Sequence, residues 1–379
     1  MYFLDNASST RCSKQSAEIV KNALINDFYN PSAKYKPAVD IYSKLNECRD
    51  AIKETLGAIN YDVIFTSGAT EANNLAFNSA CGKSYKTLIS VGEHSSVYET
   101  AKQLKQKGFD IEEVGLNENG EIDFKNFKEV MTNKVGFVSL MLVSNETGAI
   151  NNIAQLVEFA KSINPNVLFH VDAVQGYCKL PINLEAIGAD YMTISSHKIH
   201  GPKGVGALIV KKRTKIVQQI IGGGQENGNR SGTENYPAVL GFVNSAREMA
   251  ENLRERFEQI KTLKFNFYSK LKEKAENNKL ELVLNGDMEN SSPYILSFSF
   301  PGVKAEILLH SLAEHEIYVG TGSACNSKHK SNRTLSAMGK SDATVEGNIR
   351  VSFGEECLAY DLEYITDKFI ECVNNIKRK

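Results

Sequence analysis

Net charge is almost absent from this sequence: 44 Lys and Arg face 45 Asp and Glu, a formal balance of −1. No global field therefore draws the chain to nucleic acid or to an anionic membrane surface. Long apolar runs are missing as well. The longest stretch without a charge, around Val135–Val143, has the length of a buried strand and falls far short of a membrane span. The opening residues, Met1-Tyr2-Phe3-Leu4-Asp5, hold no basic segment followed by an apolar run, so no secretory signal is expected. The 7 cysteines, at 12, 48, 81, 178, 325, 357 and 372, show no Cys-x-x-Cys spacing. That argues against a disulfide framework or a zinc site and for reduced thiols in the cytoplasm, most of them expected only to pack. No low-complexity tract or internal repeat stands out.

What is there is an α/β pattern. With 379 residues, 42% of them apolar, the chain can build a large domain and a smaller companion. Short β-branched runs at Asp62–Thr66, Thr87–Val91, Val135–Val143, Val167–Val171 and Ala189–Ile194 alternate with helix-like segments, and Val205–Val210 is expected to pair nearby. This alternation predicts a largely parallel sheet. From Asn235 to about Lys274 the pattern turns helical and charged, with a break near Lys261–Lys264, as in a long surface helix leading out of the first unit. A second α/β region follows, with strands at Tyr294–Phe300 and Asn348–Phe353 and helices at Lys304–Glu314 and Asp361–Ile376.

One regularity points to a site. Thr70, His94, Asn145, Asp172, His197 and Lys198 all fall just after the carboxyl ends of expected strands, the edge at which open α/β sheets bind ligands. Lys198, in Ser195-Ser196-His197-Lys198 ahead of glycines and proline, reads either as a solvated lysine or as a pocket amine able to form a Schiff base. Lys203 nearby is expected to face solvent. Asp172 is either a helix N-cap or the acid that keeps a pyridinium nitrogen protonated, with Gln175 able to donate to the phenolic oxygen. Ser67-Gly68-Ala69-Thr70 opens a helix whose first amides suit a phosphate, with Thr70, Ser195 and His197 as added donors, though a plain capping turn has the same look. His94 is a solvated loop histidine or a ring stacked on a cofactor that moves protons.

Gly222–Thr233 is a glycine-rich loop without a Walker or dinucleotide signature, either a flexible surface loop or one packed against a phosphate across a subunit boundary. Cys325 lies among small and polar residues, with Lys328, His329 and Lys330 to favour its thiolate. Arg350, on an expected strand, needs a carboxylate partner, structural or the substrate's own. His197 and His200 gain no further ligands in sequence, so a metal is not expected.

Together, Leu4–Ala7, Asn30-Pro31-Ser32, Thr66–Asn74, Ser144–Gly148, Ser196-His197-Lys198, Arg230–Thr233 and Gly322-Ser323-Ala324-Cys325 closely resemble the cysteine desulfurases of the NifS/IscS type. These are class V aminotransferase-like enzymes, and the likeness runs through nearly the whole chain. The resemblance implies fold type I of the pyridoxal-phosphate enzymes and an obligate homodimer. It divides the chain into a large domain over 14–255 and a small domain from 1–13 plus 256–379. By position, Lys198 would bind pyridoxal 5′-phosphate covalently, Asp172 and Gln175 would hold its ring, and His94 would stack on it. Asn145 would lie near the phenolic oxygen and the substrate. Ala69, Thr70, Ser195 and His197 would bind the phosphate, joined by Thr233 of a second subunit. Arg350 would take the carboxylate of L-cysteine, and Cys325 would receive its sulfur as a persulfide, releasing alanine.

Ser-Ala-Cys resembles the group I loop that hands sulfur on. Gln225 stands where housekeeping members often carry histidine. The sequence reaches Lys379 soon after its last expected helix, so the longer extension those members use to dock an iron–sulfur scaffold is not expected. The sulfur acceptor therefore stays open between an iron–sulfur scaffold, a tRNA-thiolation protein and DNA-phosphorothioation machinery. The alternative activity is that of a selenocysteine lyase or another pyridoxal-phosphate C–S/C–Se lyase.

Overall fold

Runs such as Tyr191-Met192-Thr193-Ile194-Ser195, buried at every position, can only be the interior strands of a sheet covered on both faces. In chain order the strands are β1 (Tyr2–Leu4), β2 (Tyr61–Thr66), β3 (Lys86–Ser90), β4 (Ile111–Val114), β5 (Val135–Met141), β6 (Leu168–Asp172), β7 (Tyr191–Ser195), β8 (Gly206–Lys211), β9 (Val283–Leu284), β10 (Ile295–Ser299), β11 (Ile317–Val319) and β12 (Asn348–Ser352). The computed structural model describes residues 1–322 and 332–378.

Seven strands form the main sheet in the order β2-β8-β7-β6-β5-β3-β4. All neighbours from β7 through β4 run parallel, whereas β8 is antiparallel to both β7 and β2. Every strand of this sheet except β8 therefore ends at the same edge. Helices α1 (Lys14–Asn26), α2 (Lys36–Leu56), α3 (Ala69–Ala80) and α4 (Ser95–Gln106) are the first four of the chain. One apolar cluster runs from Ile41 to Met249 around the sheet, and α3 packs over its other face with Leu75, Phe77, Phe137 and Tyr191. A smaller α/β unit has its own core, joining Leu4 and Ala7 to residues from Ile260 to Val373. It holds β10 between β12 and β9, both antiparallel to it, and the parallel pair β1–β11.

The expected fold class, α/β with a mostly parallel sheet and a smaller α/β domain, is the one observed. Two local readings are corrected. The stretch 235–274 forms two helices, Tyr236–Glu251 and Leu253–Asn277, that meet at Asn252 and continue unbroken through Lys261–Lys264. Lys264 is buried, and its ammonium donates to Ser291 Oγ (2.7 Å) and Ser292 O (3.1 Å), so its charge ends no helix. The first of these helices is no surface element, because Tyr236, Phe242 and Met249 lie in the core. Residues after Asp172 form turns rather than a helix, and Cys178 there takes φ 53°.

Candidate active site

One end of the site is built by three neighbouring backbones. Ser195 at the end of β7 pairs with Gly206 at the start of β8. A Cβ on Gly206 would lie 2.8 Å from Ile194 O and 2.9 Å from Gly68 Cα, so only glycine lets these chains approach. Gly68 caps α3 with no side-chain hydrogen bond, which leaves the first-turn amides available to an anion. The Ser195 hydroxyl is buried beside them without a partner. A buried hydroxyl left so costs free energy until an acceptor completes it, and a phosphate at this turn fits. Thr70 is exposed and Ala69 half-buried at the same turn. Glu71 is held by the Arg230 guanidinium (Nε to Oε1 2.8 Å, Nη2 to Oε2 3.2 Å) and accepts the Ser67 amide (2.9 Å), which fixes the loop carrying Arg230 against α3.

Asp172, the last residue of β6, is buried. Its Oδ1 accepts from Val174 N (3.0 Å) and its Oδ2 from Asn73 Nδ2 (2.9 Å). Asn73 also donates to Ser96 Oγ (2.8 Å), which leaves that hydroxyl to donate to His94 Nδ1 (2.8 Å). Since Ser96 N donates to the same ring nitrogen (3.2 Å), the network assigns the proton of a neutral His94 to Nε2. His94 caps α4 rather than wandering in a loop. Its ring opens onto a cleft, yet burial against the dense wall lowers its pKa, as do Lys198, Arg333 and Arg350, against the opposing pull of Asp172.

Lys198 sits in the single turn Ser196–Lys198 after β7, half-buried, with Nζ donating to Ala7 O (2.8 Å) and Ser8 O (2.5 Å). Gln175 Nε2 donates to the same Ala7 carbonyl (2.8 Å), and its Oε1 accepts from the buried Lys179 (3.2 Å). Burial, with Lys198 and Arg350 nearby, pushes Lys179 down to about 7. His197 is pushed down to about 4 by burial and by Lys198, so its ring is neutral at physiological pH. Lys203 is exposed.

On the opposite flank, Arg350 of β12 pairs with Asp5 (2.9 Å) and donates to Asn145 O (2.8 Å), so its carboxylate partner is internal, while its Nε is buried and unpartnered. A Cβ on Gly320 would come within 2.6 Å of Asp5 Oδ1 and 2.9 Å of Arg350 Nη2, so glycine is what admits the pair. Asn145 Oδ1 is also buried without a partner. Its amide donates to Glu146 Oε1 (3.0 Å), and Asn332 donates to Glu146 Oε2 (3.2 Å). Burial pushes the Glu146 carboxyl up.

The structure thus brings Ala69, Thr70, His94, Asn145, Asp172, Ser195, His197 and Lys198 to one sheet edge. Arg350 reaches it from the smaller unit, and Gln175 lies behind Lys198. Thr233 is exposed. Its loop is no free surface segment, because Glu226 within it is buried in an ion pair with Arg49 (2.9 Å). Cys325, Lys328, His329 and Lys330 lie outside the described residues. Sequence reasoning passed over Asn73, Glu93, Ser96, Lys179 and Arg333. Asn73 and Glu93 stood inside or beside the motifs, whereas Arg333 carried no local signal. Among the described residues no group of three or more His, Cys, Asp or Glu is arranged to hold a metal.

A lysine, an acid and an anion-ready helix start at the carboxyl edge of a mostly parallel sheet match the fold type I architecture of the pyridoxal-phosphate enzymes. The chain belongs to the class-V aminotransferase family, whose profile matches residues 2–365, and within it to the cysteine desulfurases of the NifS/IscS type. It is 33% identical over 391 residues to the cysteine desulfurase IscS of Klebsiella pneumoniae, covering 99% of this chain and 93% of that protein. Among solved structures it is similar to a NifS-like protein (TM-score 0.89, 29% identity, 100% of this chain and 99% of that one). It is also similar to SspA in complex with cysteine (TM-score 0.79, 26% identity, 93% and 99%). Class-V aminotransferases use pyridoxal phosphate.

Proposed function

We propose that this protein is a pyridoxal-phosphate cysteine desulfurase that takes sulfur from L-cysteine onto Cys325 and passes it to an acceptor protein. The observation that carries this reading is the meeting of Asp172, Lys198 and the unpartnered Ser195 hydroxyl at one sheet edge. Ser195 and the α3 amides would hold the phosphate, helped by Ala69, Thr70 and His197. Asp172 would face the ring nitrogen and His94 the ring, with Gln175 and Asn145 on its phenolic side. When bound, the cofactor supplies an electron sink that loosens bonds at the substrate's α- and β-carbons. Lys198 would take and return the α-proton, and Arg350 would fix the substrate carboxylate beside Asn145. The Cys325 thiolate would then attack the substrate sulfur. A sulfur–sulfur bond forms, the β-carbon keeps the pair of the broken carbon–sulfur bond and takes a proton, and alanine leaves.

Two further parts of the reading rest on position. A homodimer is supported by exposed Leu24, Ile25, Phe28, Tyr35, Val39 and Tyr42 on α1, α2 and the turn between them, and by Thr233, which lies exposed where a second copy could use it. The division at 14–255 and 1–13 plus 256–379 is supported by the separate apolar clusters. No helix among the described residues is long and apolar enough to cross a membrane. The acceptor class, iron–sulfur scaffold, tRNA-thiolation or DNA-phosphorothioation protein, is left to persulfide trapping.

Borohydride reduction of the cofactor-loaded protein, followed by peptide mapping, is expected to find the pyridoxyl group on Lys198. Cys325→Ala should keep that label while its sulfide release from L-cysteine falls on the order of a hundredfold or more. Unchanged cysteine turnover in this variant, with selenocysteine turned over as well, would move the assignment to a lyase independent of a loop cysteine.

A further inference from the structure

Arg333 is the first residue of a short helix, Arg333–Ala337, that follows the Cys325 segment. Its guanidinium does not point to solvent. Nε donates to Val91 O (2.6 Å) and Nη2 to Glu93 O (2.5 Å), while the plane lies 3.4 Å over the Tyr98 ring of α4. Among the described residues no carboxylate forms an ion pair with it, so a half-buried cation is held by two neutral carbonyls and an aromatic face. Those two carbonyls bracket Gly92 in the strap between β3 and α4, directly ahead of His94. The neighbouring Asn332 is tied down as well, with Oδ1 accepting from Leu335 N (3.2 Å) and Nδ2 donating to the Glu146 carboxylate. On the near side of the segment, a Cβ on Gly322 would fall 1.8 Å from Asn332 Nδ2 and 2.5 Å from Glu146 Oε2. Both chain ends that flank residues 323–331 are thus packed together at Glu146, and one of them is bolted to the His94 strap.

We infer that Arg333 is a positioning residue: it fastens the chain just beyond the Cys325 segment to the strap that presents His94, so that the two are placed by one fork. The inference rests on the desulfurase reading for its consequence in turnover, not for its geometry. Arg333 also adds positive charge near His94, which otherwise faces Asp172, Lys198 and Arg350. The two contributions separate by substitution, because lysine keeps the charge and loses the planar fork, whereas methionine loses both.

The test uses the full-length chain labelled with 15N-histidine, with and without pyridoxal phosphate, and His94→Gln to assign the resonance. In Arg333→Met the titration of His94 is expected to move up by roughly half a pH unit, and in Arg333→Lys to stay near native. With the cofactor bound, kcat for L-cysteine should fall about tenfold in both variants with KM little changed. Melting temperatures check that each variant folds, and the lysine variant carries the test if the methionine variant does not. Native kcat in Arg333→Lys would overturn the fork, since charge alone would then suffice. Native titration and native kcat in Arg333→Met would overturn the inference outright. If the unmodified protein forms no alanine from cysteine, the desulfurase reading fails, while the His94 titration in Arg333→Met still reports whether the Arg333 charge is held against the His94 strap.

Discussion

Asp172 gains its role from what surrounds it rather than from its residue type. One oxygen is committed to the backbone of Val174 and the other to Asn73, which also reaches Ser96 and, through it, His94. A change at Asp172 should therefore be felt at the histidine. Asp172→Asn is isosteric and is expected to retain the fold while lowering kcat on the order of a hundredfold. Alanine release, measured alongside the absorption spectrum of the bound cofactor, checks it: native kcat would remove Asp172 from the chemistry. The sequence placed this acid at a strand end but offered its capping role as an equal reading. The burial of the carboxylate and the Asn73–Ser96–His94 chain lay beyond sequence reading, because a partner 99 positions away leaves no local trace.

At the scale of elements, the strap between β3 and α4 holds an unusual carboxyl. Glu93 Oε1 accepts from Ser90 Oγ (2.9 Å) and Met141 N (2.8 Å), Oε2 is buried and unpartnered, and burial together with nearby Asp172 pushes the group up to about 8. An acid with a folded value raised above its unfolded one contributes stability that is complete below the ordinary glutamate range. That stability is lost as pH rises through about 8. Lys179 and Lys264, pushed down to about 7 and about 8 by burial, act in the opposite sense, so the informative quantity is a difference. Between pH 6 and pH 9 the melting temperature of the native chain should fall relative to that of Glu93→Gln. A constant difference across that range would show that Glu93 is ionised in the fold.

Eight strands were legible because apolar β-branched runs recur with turn residues between them, and they differ from the expected ones by a residue or two at their ends, whereas β1, β4, β9 and β11, at most four residues long, left too short a pattern to read. The joint at Asn252 was not legible, and Lys264 misled, since sequence composition cannot tell a lysine donating to Ser291 and Ser292 from one in water. Arg333 was invisible for the same reason: its acceptors are main-chain carbonyls of a distant strap.

Across the whole molecule, apolar surface is left uncovered on α1, α2 and the turn joining them. Phe28 stacks on Tyr29 (ring centroids 4.4 Å apart), Tyr29 meets Tyr35 edge-on (6.1 Å), and Leu24, Ile25 and Val39 lie exposed on the same two helices. Such a patch is the kind of surface the proposed homodimer would cover. Phe28→Asp is expected to shift the protein from dimer toward monomer in light scattering behind size exclusion, and a native monomer would overturn the homodimer.

The six described cysteines have a common fate whose consequence reaches beyond packing. Burial raises the thiol pKa of Cys12, Cys48, Cys81, Cys178, Cys357 and Cys372 alike, so each stays protonated and a poor nucleophile at neutral pH. On the desulfurase reading proposed above, a persulfide on Cys325 would consequently meet no competing thiolate among them. The silence of these six thiols would then keep sulfur in transit from scrambling into the scaffold, a form of insulation that the fold provides without a dedicated part.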